Sequence, residues 1–224
     1  MLTFHGREIP ETLAEIVAPR HTVVIVHDMQ KDNTGAGGVY DRAGRRIDVT
    51  RILPPLVRFL DDARGAGVKV MYTQYTNQPD FGSLTDVRIR SDYKRLMDPA
   101  QRWVIDALVE DTPGWATIDE LKPNPGEIII RKPRVDAFLG TPLELFLRLN
   151  RVRTIIHTGI ATEVGILPTA WHAVNVGFFP VVPEDCVGPM EPQYHDDAMR
   201  FLRRLAIPTR SSEIVEAWGT PARR

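Results

Sequence analysis

The sequence contains a single cysteine, Cys186, among its 224 residues. A disulfide within the chain is therefore excluded, and so is a metal site built on paired cysteines. The longest apolar runs, such as Thr22–Val26 and Ile128–Ile130, are far shorter than the roughly 20 residues of a membrane helix. The first residues show no basic stretch followed by an apolar core, so no signal peptide is expected. These absences predict a cytoplasmic protein without contact to a membrane.

The chain also lacks an excess of charge of either sign. It has 28 lysines and arginines against 29 aspartates and glutamates, which gives a net charge of -1. Proteins that bind nucleic acid usually present a basic field, so no nucleic-acid partner is expected. Hydrophobic residues at 43% and charged residues at 25% are typical of a globular protein. The remaining expectation is an enzyme or binding protein that acts on a small molecule.

Metal and cofactor motifs are missing as well. The six histidines are His5, His21, His27, His157, His172 and His195. No two of them have the spacing of an HxH or HExxH motif. The sequence has no GxGxxG or phosphate-binding loop. We therefore expect no metal and no cofactor, and we interpret His27 and His157 as core histidines on buried strands.

Short apolar runs alternate with helical patterns along the chain. The runs are Thr22–Val26, Val68–Tyr72, Glu127–Ile130, Thr154–His157 and Phe178–Val182. They are continuous rather than alternating in polarity, which is typical of strands buried on both faces. Such alternation predicts an α/β fold, namely a single-domain, doubly wound αβα arrangement of three layers. Its mostly parallel sheet should have about six strands.

Helix boundaries follow from capping residues. Ile52–Ala66 has apolar residues at helical spacing and ends at Gly67, and Thr162–Val176 ends at Gly177. Glu191 and Pro192 begin a helix that should run to about Leu205. The polar segments Asp32–Arg46 and Leu84–Asp98 are predicted to be loops. We divide the chain into an N-terminal arm (1–20), the α/β domain (21–210) and a C-terminal segment (211–224).

Chemistry is expected where the strands end, because ligands of doubly wound folds bind beyond the carboxyl ends of the strands. Asp28 follows the first apolar run, and Lys132 follows the third. Gln74 and Tyr75 follow the second run. The fourth run leads into a turn of small residues, 158–165, whose backbone N–H groups suit an oxyanion or carboxylate. One edge of the sheet should therefore combine an acid, a base and hydrogen-bond donors.

These motifs resemble those of the isochorismatase-like hydrolases, which include nicotinamidases, carbamoylsarcosine amidohydrolases and ureidoacrylate amidohydrolases. The resemblance runs from about His21 to Leu205 and covers nearly the whole chain. It rests on Val-Ile-Val-His-Asp-Met-Gln (24–30), Lys132-Pro133-Arg134 with Ala137-Phe138, Thr-Gly-Ile-Ala-Thr-Glu-Val-Gly-Ile-Leu (158–167) and Val-Pro-Glu-Asp (182–185). Each motif alone is weak, but their shared order and spacing predict the fold.

The resemblance implies the catalytic residues. Most of the family uses an aspartate, a lysine and a nucleophilic cysteine; Asp28 and Lys132 match the first two, and Gly165 occupies the position of the third. Glycine cannot form a thioester, and Cys186 lies where the family has no nucleophile. The isochorismatases proper resemble this chain in carrying glycine there, and they cleave a vinyl ether. Asp28 would then be a general acid, which requires a raised pKa.

The resemblance also implies substrate contacts. Lys132 would orient Asp28 and contact a substrate carboxylate, while the N–H groups of Ala161 and Gly165 would bind a substrate oxygen. The family places a non-proline cis peptide in this turn, and the matching bond joins Ile160 to Ala161. Further candidate substrate contacts are Tyr75, Gln74 and Arg88.

Three functions remain open. Cysteine-independent hydrolysis of a vinyl ether of the isochorismate type is the first. Hydrolysis of an amide or ureide is the second, because Thr162 and Glu163 look closer to the amidase pattern, while the region around Lys132 and the insertion near Asp80–Arg95 look more like the ureidoacrylate branch. A catalytically inactive small-molecule-binding protein is the third, and the retained Asp28–Lys132 pair argues against it, since an unused buried pair is costly. Members of the family are commonly dimers or tetramers, so we expect a homodimer or homotetramer.

Overall fold

Seven strands form the central sheet of the computed structural model, which describes residues 1–90 and 107–219. Their bounds are Thr22–His27 (β3), Lys69–Tyr75 (β4), Ile128–Lys132 (β5), Thr154–Ile160 (β6), Phe179–Pro183 (β7), Val187–Gly188 (β8) and Ile207–Thr209 (β9). The order is β5-β4-β3-β6-β7-β9, with β8 paired to β6, and every pairing is parallel. A separate antiparallel hairpin consists of Leu2–Phe4 (β1) and Arg7–Ile9 (β2). The predicted parallel α/β sheet is confirmed.

Helices cover both faces of this sheet. Their bounds are Leu13–Ile16 (α1), Lys31–Thr34 (α2), Val39–Arg42 (α3), Leu53–Gly65 (α4), Leu143–Leu149 (α5), Leu167–Asn175 (α6), Pro192–Leu205 (α7) and Ser211–Ala217 (α8). Gly67 ends the α4 segment at a φ of +74°, as the predicted helix end requires. Helix α7 has its predicted bounds. The predicted helix from Thr162 is divided into a π-helical turn, Thr162–Ile166, and α6.

The core is divided between the two faces of the sheet. One cluster packs Phe59 and Leu60 of α4 and Ile214 of α8 against one face, and another packs Leu147 of α5 and Ala173 of α6 against the other. These side chains are buried. The predicted three-layer arrangement is therefore confirmed, and the burial of strands on both faces explains their continuous apolar sequences.

The predicted loop Asp32–Arg46 contains helical turns instead. Helix α2 and helix α3 lie within it, and the buried Asp32 carboxylate accepts hydrogen bonds from the N–H groups of Val39 (3.1 Å) and Leu108 (2.8 Å). These long-range bonds stabilise turns too short for a periodic sequence pattern. In the second predicted loop, Leu84–Asp98, residues 86–90 are helical and residues 91–98 lie outside the described part.

The N-terminal arm packs against the described part of the C-terminal segment, residues 211–219. Ile214 and Val215 of the segment after residue 210 are buried in the core. The indole N–H of Trp218 donates to the carbonyl of Val17 in the N-terminal arm at 2.7 Å. The predicted arm and C-terminal segment are thus in contact with each other and with α4. Among the described residues, no helix combines the length and apolar character needed to cross a membrane.

Candidate active site

Asp28 lies one residue beyond the end of β3, in a left-handed backbone conformation with φ of +51°. Aspartate tolerates this conformation better than most residues do. Its N–H donates to the carbonyl of Thr73 (2.9 Å), and its carbonyl accepts from the N–H of Gln30 (2.8 Å) and the side-chain amide of Asn33 (3.1 Å). The backbone of Asp28 is therefore held from three directions, which determines where its carboxyl group lies.

The carboxyl group of Asp28 forms an ion pair with Lys132. Lys132 is the last residue of β5, two strands away, and its Nζ lies 2.7 Å from Asp28 Oδ2. The other oxygen, Oδ1, accepts the N–H of Tyr75 at 3.0 Å. Lys132 has 1% and Asp28 11% of its side-chain surface exposed. The pair thus bridges the edge of the sheet over β4 with little access to water.

The ammonium group of Lys132 has further partners. Its Nζ donates to the carbonyl of Val135 at 3.1 Å, lies at the hydrogen-bond limit of 3.5 Å from the carbonyl of Arg134, and sits 5.4 Å from the ring centre of Tyr75. Two of its three protons are therefore committed to Asp28 and Val135. This geometry places the ammonium group of Lys132 against the carboxyl group of Asp28, and the predicted role of Lys132 in orienting Asp28 stays a prediction. The expected contact of Lys132 with a substrate carboxylate stays a prediction.

Burial and charge act in opposite directions on Asp28. Loss of water around the carboxyl raises the pKa of Asp28, while the charge and hydrogen bond of Lys132 and the N–H of Tyr75 lower it. The desolvation is the larger effect, so the pKa lies above its usual value of 3.8. A carboxyl group with a raised pKa keeps its proton to a higher pH than an ordinary aspartate does.

Gly165 faces this ion pair from the turn after β6. The turn begins with a cis peptide bond between Ile160 and Ala161, as the resemblance implied. A Cβ atom built on Gly165 would lie 3.3 Å from Asp28 Oδ2 and 3.7 Å from Lys132 Nζ. The three predicted catalytic positions, which come from the end of β3, the end of β5 and the turn after β6, therefore lie next to one another.

The backbone donors of the turn differ from expectation. The N–H groups of Gly165 and Ile166 both donate to the carbonyl of Ala161, at 2.9 and 3.0 Å. This π-helical turn uses the N–H of Gly165 for its own structure, so the expected bond from that N–H to a substrate oxygen needs correction. The predicted roles of Ile160 and Ala161 stay predictions.

The other residues predicted to contact the substrate lie in three different places. Tyr75 lies at the site through its N–H and its ring. Gln74 points to the opposite face of β4, because neighbouring strand residues alternate, and its buried amide donates to Thr117 at 2.9 Å. The expected substrate contact of Gln74 is therefore replaced by a structural bond. Arg88 lies on the exposed helical turn 86–90, where its N–H donates to Thr85, and its role stays a prediction.

Sequence reasoning missed the residues that hold Asp28 from behind. Asn33 binds its carbonyl, and the Gln30 side chain donates to the carbonyls of Tyr75 (3.1 Å) and Trp115 (2.9 Å). Their proximity to Asp28 in the sequence was the available signal. The carbonyl of Val135 accepts a hydrogen bond from Lys132. Because it is a backbone group, the residue type at position 135 could not predict this contact.

The thiol of Cys186 lies in the core, in the turn Glu184–Cys186 after β7. Its side chain is fully buried. Burial, reinforced by the charge of Asp185, raises the pKa of the Cys186 thiol. A thiol with a raised pKa is a poor nucleophile.

A second buried polar pair lies beneath the first, on the same face of the sheet. His27 Nε2 is 3.0 Å from His157 Nδ1, and His27 Nδ1 is 2.9 Å from the hydroxyl of Thr73. Both rings are fully buried, as predicted for core histidines. Burial lowers the pKa of His157 to about 3 and that of His27 well below its usual value, so both rings are neutral. In the described ranges, no three His, Cys, Asp or Glu side chains form a group that could hold a metal ion.

Residues 22–213 match the model of the isochorismatase domain. A ureidoacrylate amidohydrolase, RutB, from Methylorubrum extorquens is 32% identical over 189 residues, covering 81% of this chain and 75% of that protein. The RutB of Agrobacterium fabrum is 30% identical over 202 residues, covering 88% of this chain and 87% of that protein.

Solved structures agree with the fold. A cysteine hydrolase from Pseudomonas syringae pv. phaseolicola superposes with a TM-score of 0.78 at 23% identity, covering 91% of this chain and 95% of that chain. An N-carbamoylsarcosine amidase from Thermoplasma acidophilum gives a TM-score of 0.65 at 22% identity, covering 85% and 96%. At these identities the likeness concerns the arrangement of strands and helices.

Proposed function

The chain belongs to the isochorismatase family and is a hydrolase, and we propose that it hydrolyses a small polar molecule without a cysteine nucleophile. Asp28 is the general acid and base of this reaction, and Lys132 orients it and tunes its pKa. The observation that carries the proposal is the ion pair of 2.7 Å facing a glycine instead of a thiol. Cys186 is buried in the core and does not supply the missing nucleophile.

A vinyl ether with a carboxylate, of the isochorismate type, suits this site. Asp28 protonates the vinyl carbon, and water adds to the resulting oxocarbenium ion while giving one proton back to the Asp28 carboxylate. The hemiketal then collapses to a ketone as its hydroxyl proton passes to the leaving oxygen, which departs as an alcohol. No covalent intermediate is required, so a glycine at position 165 is compatible with the reaction. The raised pKa of Asp28 supports this reading, because the acid must be protonated at working pH.

Hydrolysis of an amide or ureide is the second candidate, and the similarity to ureidoacrylate amidohydrolases favours it. Here the Asp28 carboxylate takes a proton from water as the water attacks the carbonyl carbon. The same proton is then given to the leaving nitrogen. Without a thiol the carbonyl is attacked directly, in a single addition and elimination.

The two reactions require opposite protonation states of Asp28. As a general acid it is active when protonated, so kcat/KM falls as the pH rises through its raised pKa. As a general base it is active when ionised, so kcat/KM rises through the same pKa. The direction of the pH limb therefore separates a vinyl ether from an amide or ureide mechanism.

The first experiment is a substrate panel of isochorismate, ureidoacrylate and simple amides with the wild-type protein and Asp28→Asn. We expect one substrate class to be turned over, and kcat to fall by about 10² to 10⁴ in the variant. The amide oxygen still accepts from Lys132, so loss of turnover with retained binding identifies proton transfer as the function removed. Binding of a panel compound without turnover in the wild-type protein would instead indicate an inactive binding protein.

A further inference from the structure

The loop after β5, residues 133–138, supplies one of the groups that hold Lys132. In this loop the carbonyl oxygen of Val135 accepts a hydrogen bond from Lys132 Nζ at 3.1 Å. Further along it, the N–H of Ala137 donates to the hydroxyl oxygen of Thr169 in helix α6 at 3.0 Å. The Val135 carbonyl and the Ala137 N–H belong to adjacent planar peptide units. The position of the carbonyl therefore depends on how the loop is attached to α6.

The same hydroxyl group is bonded to the turn that faces the ion pair. Thr169 Oγ1 donates to the carbonyl of Gly165 at 2.6 Å while it accepts from Ala137. A hydroxyl has one proton to donate and two lone pairs that accept, so both bonds can exist together. Thr169 has no exposed surface, so bulk water cannot take over these bonds. One buried oxygen thus links the loop of Lys132 to the turn of Gly165.

The bond from Ala137 is the unusual one. Threonines in helices can donate to the carbonyl four residues earlier, and the bond from Thr169 to Gly165 is of this local kind. The bond from Ala137 instead joins residues that are 32 positions apart. Thr154, which is equally buried at the start of β6, donates to the carbonyl of Ile16 at 2.5 Å. It lies at the opposite end of the strand from the site and serves as a matched comparison.

We propose that Thr169 is a positioning residue: its hydroxyl fixes the loop that holds Lys132 relative to the turn at Gly165. The inference rests on the proposed function, in which the Asp28–Lys132 pair transfers the proton. Thr169 acts on this pair through the backbone groups that it binds. Without the hydroxyl the loop can shift, and the ammonium group is held less closely to Asp28. The pKa of the Asp28 carboxyl then rises, because a cation at a greater distance lowers it less.

Thr169→Val tests this role, because valine keeps the shape of threonine and removes the hydroxyl. The loop keeps a second attachment to α6, since Asp136 Oδ2 lies 2.6 Å from His172 Nδ1, so we expect the variant to fold. We expect kcat to fall by about 10- to 100-fold, as small displacements of catalytic groups do. The pH limb of kcat/KM should move to higher pH by about half a unit. KM should stay within about threefold of wild type, because Thr169 has no role in substrate binding.

Two further variants separate the hydroxyl from the shape of the side chain. Thr169→Ser keeps the hydroxyl and loses a methyl group, so its kcat should stay within about threefold of wild type with an unmoved limb. Thr169→Ala differs from Thr169→Ser by the hydroxyl alone and should behave like Thr169→Val. The control Thr154→Val removes an equally buried hydroxyl, and we expect its kcat within about threefold of wild type and its limb in place.

A wild-type rate and pH limb in Thr169→Val would overturn the proposal, and so would a loss in Thr169→Ser as large as that in Thr169→Ala. A fall in kcat with an unmoved limb would leave Thr169 a structural role and reject positioning. If neither Thr169→Val nor Thr169→Ala folds, the hydroxyl is needed for the fold itself, and the positioning role is likewise rejected.

A measurement without substrate keeps this test separate from that of the proposed function. The carbon-13 chemical shift of the Asp28 carboxyl group, followed against pH in the wild type and in Thr169→Val, reports the pKa of Asp28 directly. A rise of about half a unit in the variant supports positioning even where the wild-type protein turns over no compound of the panel, a result that contradicts the proposed function alone. An unchanged titration in an active protein contradicts only the positioning role.

Discussion

Two buried polar pairs lie next to each other on one face of the sheet, and they reduce the energetic cost of burying ionisable groups in different ways. Asp28 and Lys132 are paired with each other at the edge of the sheet, where Asp28 keeps 11% of its side-chain surface exposed. His27 and His157, one layer deeper, are neutral and have no exposed surface. An imidazole can be buried by losing its proton, whereas a carboxylate and an ammonium can be buried by pairing.

The difference teaches which pair can do chemistry. The histidine pair is bonded within itself and to Thr73, so a change of protonation would leave a charge in the core. The Asp28–Lys132 pair faces Gly165, and Asp28 keeps part of its side-chain surface exposed, so a proton can be exchanged with a ligand there. Substitutions in each pair should therefore separate activity from stability.

The largest effect is expected from breaking the charged pair with Lys132→Met. Without the cation, the buried carboxyl of Asp28 is held less firmly and its pKa rises further. We expect kcat to fall by about 100-fold and the pH limb of kcat/KM to move to higher pH by about one unit or more. Kinetics between pH 5 and pH 9 measure both effects, and an unmoved limb would show that Asp28 is not the titrating group.

A smaller effect on activity, but a clear one on stability, is expected from His157→Asn. The change leaves His27 Nε2 without its present partner, and we expect a loss of about 1–3 kcal/mol in the free energy of unfolding. The kcat should change by less than about tenfold, because His157 takes part in no step of the proposed mechanism. Urea unfolding and kinetics at one pH test both parts, and a loss of activity equal to that of Lys132→Met would remove the distinction between the pairs.

The same histidines predict how stability depends on pH. Folding lowers the pKa values of both histidines. Below the pKa of 6.5 that they have in the unfolded chain, the unfolded chain therefore binds protons that the folded chain does not. Stability is therefore complete above pH 6.5 and is lost as the pH falls, until His157 itself is protonated at about 3. Each ring contributes a slope of up to about 1.4 kcal/mol per pH unit. Urea unfolding between pH 7 and pH 5 should show a shallower slope in His157→Asn than in the wild type.

The meeting of Asp28, Lys132 and Gly165 could be predicted from the sequence for a physical reason. Parallel strands all end at the same edge of a sheet, so residues that follow apolar runs come together whatever their distance along the chain. The strand runs themselves were clear because burial on both faces requires continuous apolar residues. The resemblance to a known family added the role of each position.

The rest depends on tertiary contacts that leave no periodic signal. Helices α2 and α3 are single turns held by Asp32, and the carbonyl of Val135 at the site is a backbone group. Gln74 was assigned to the site because it follows a strand, but the alternation of side chains along β4 turns it to the other face. The hydrogen bonding of the turn at Gly165 follows from its π-helical geometry, which the sequence pattern does not distinguish from an α-helix.

The central claim is that hydrolysis proceeds without a thiol, and the chain offers a direct test because Cys186 is its single cysteine. Cys186→Ala removes every thiol from the protein at a modest cost in core packing. The measurement is kcat of this variant on the substrate identified by the panel. We predict a value within about twofold of wild type, whereas a loss of turnover in a folded variant would contradict the account.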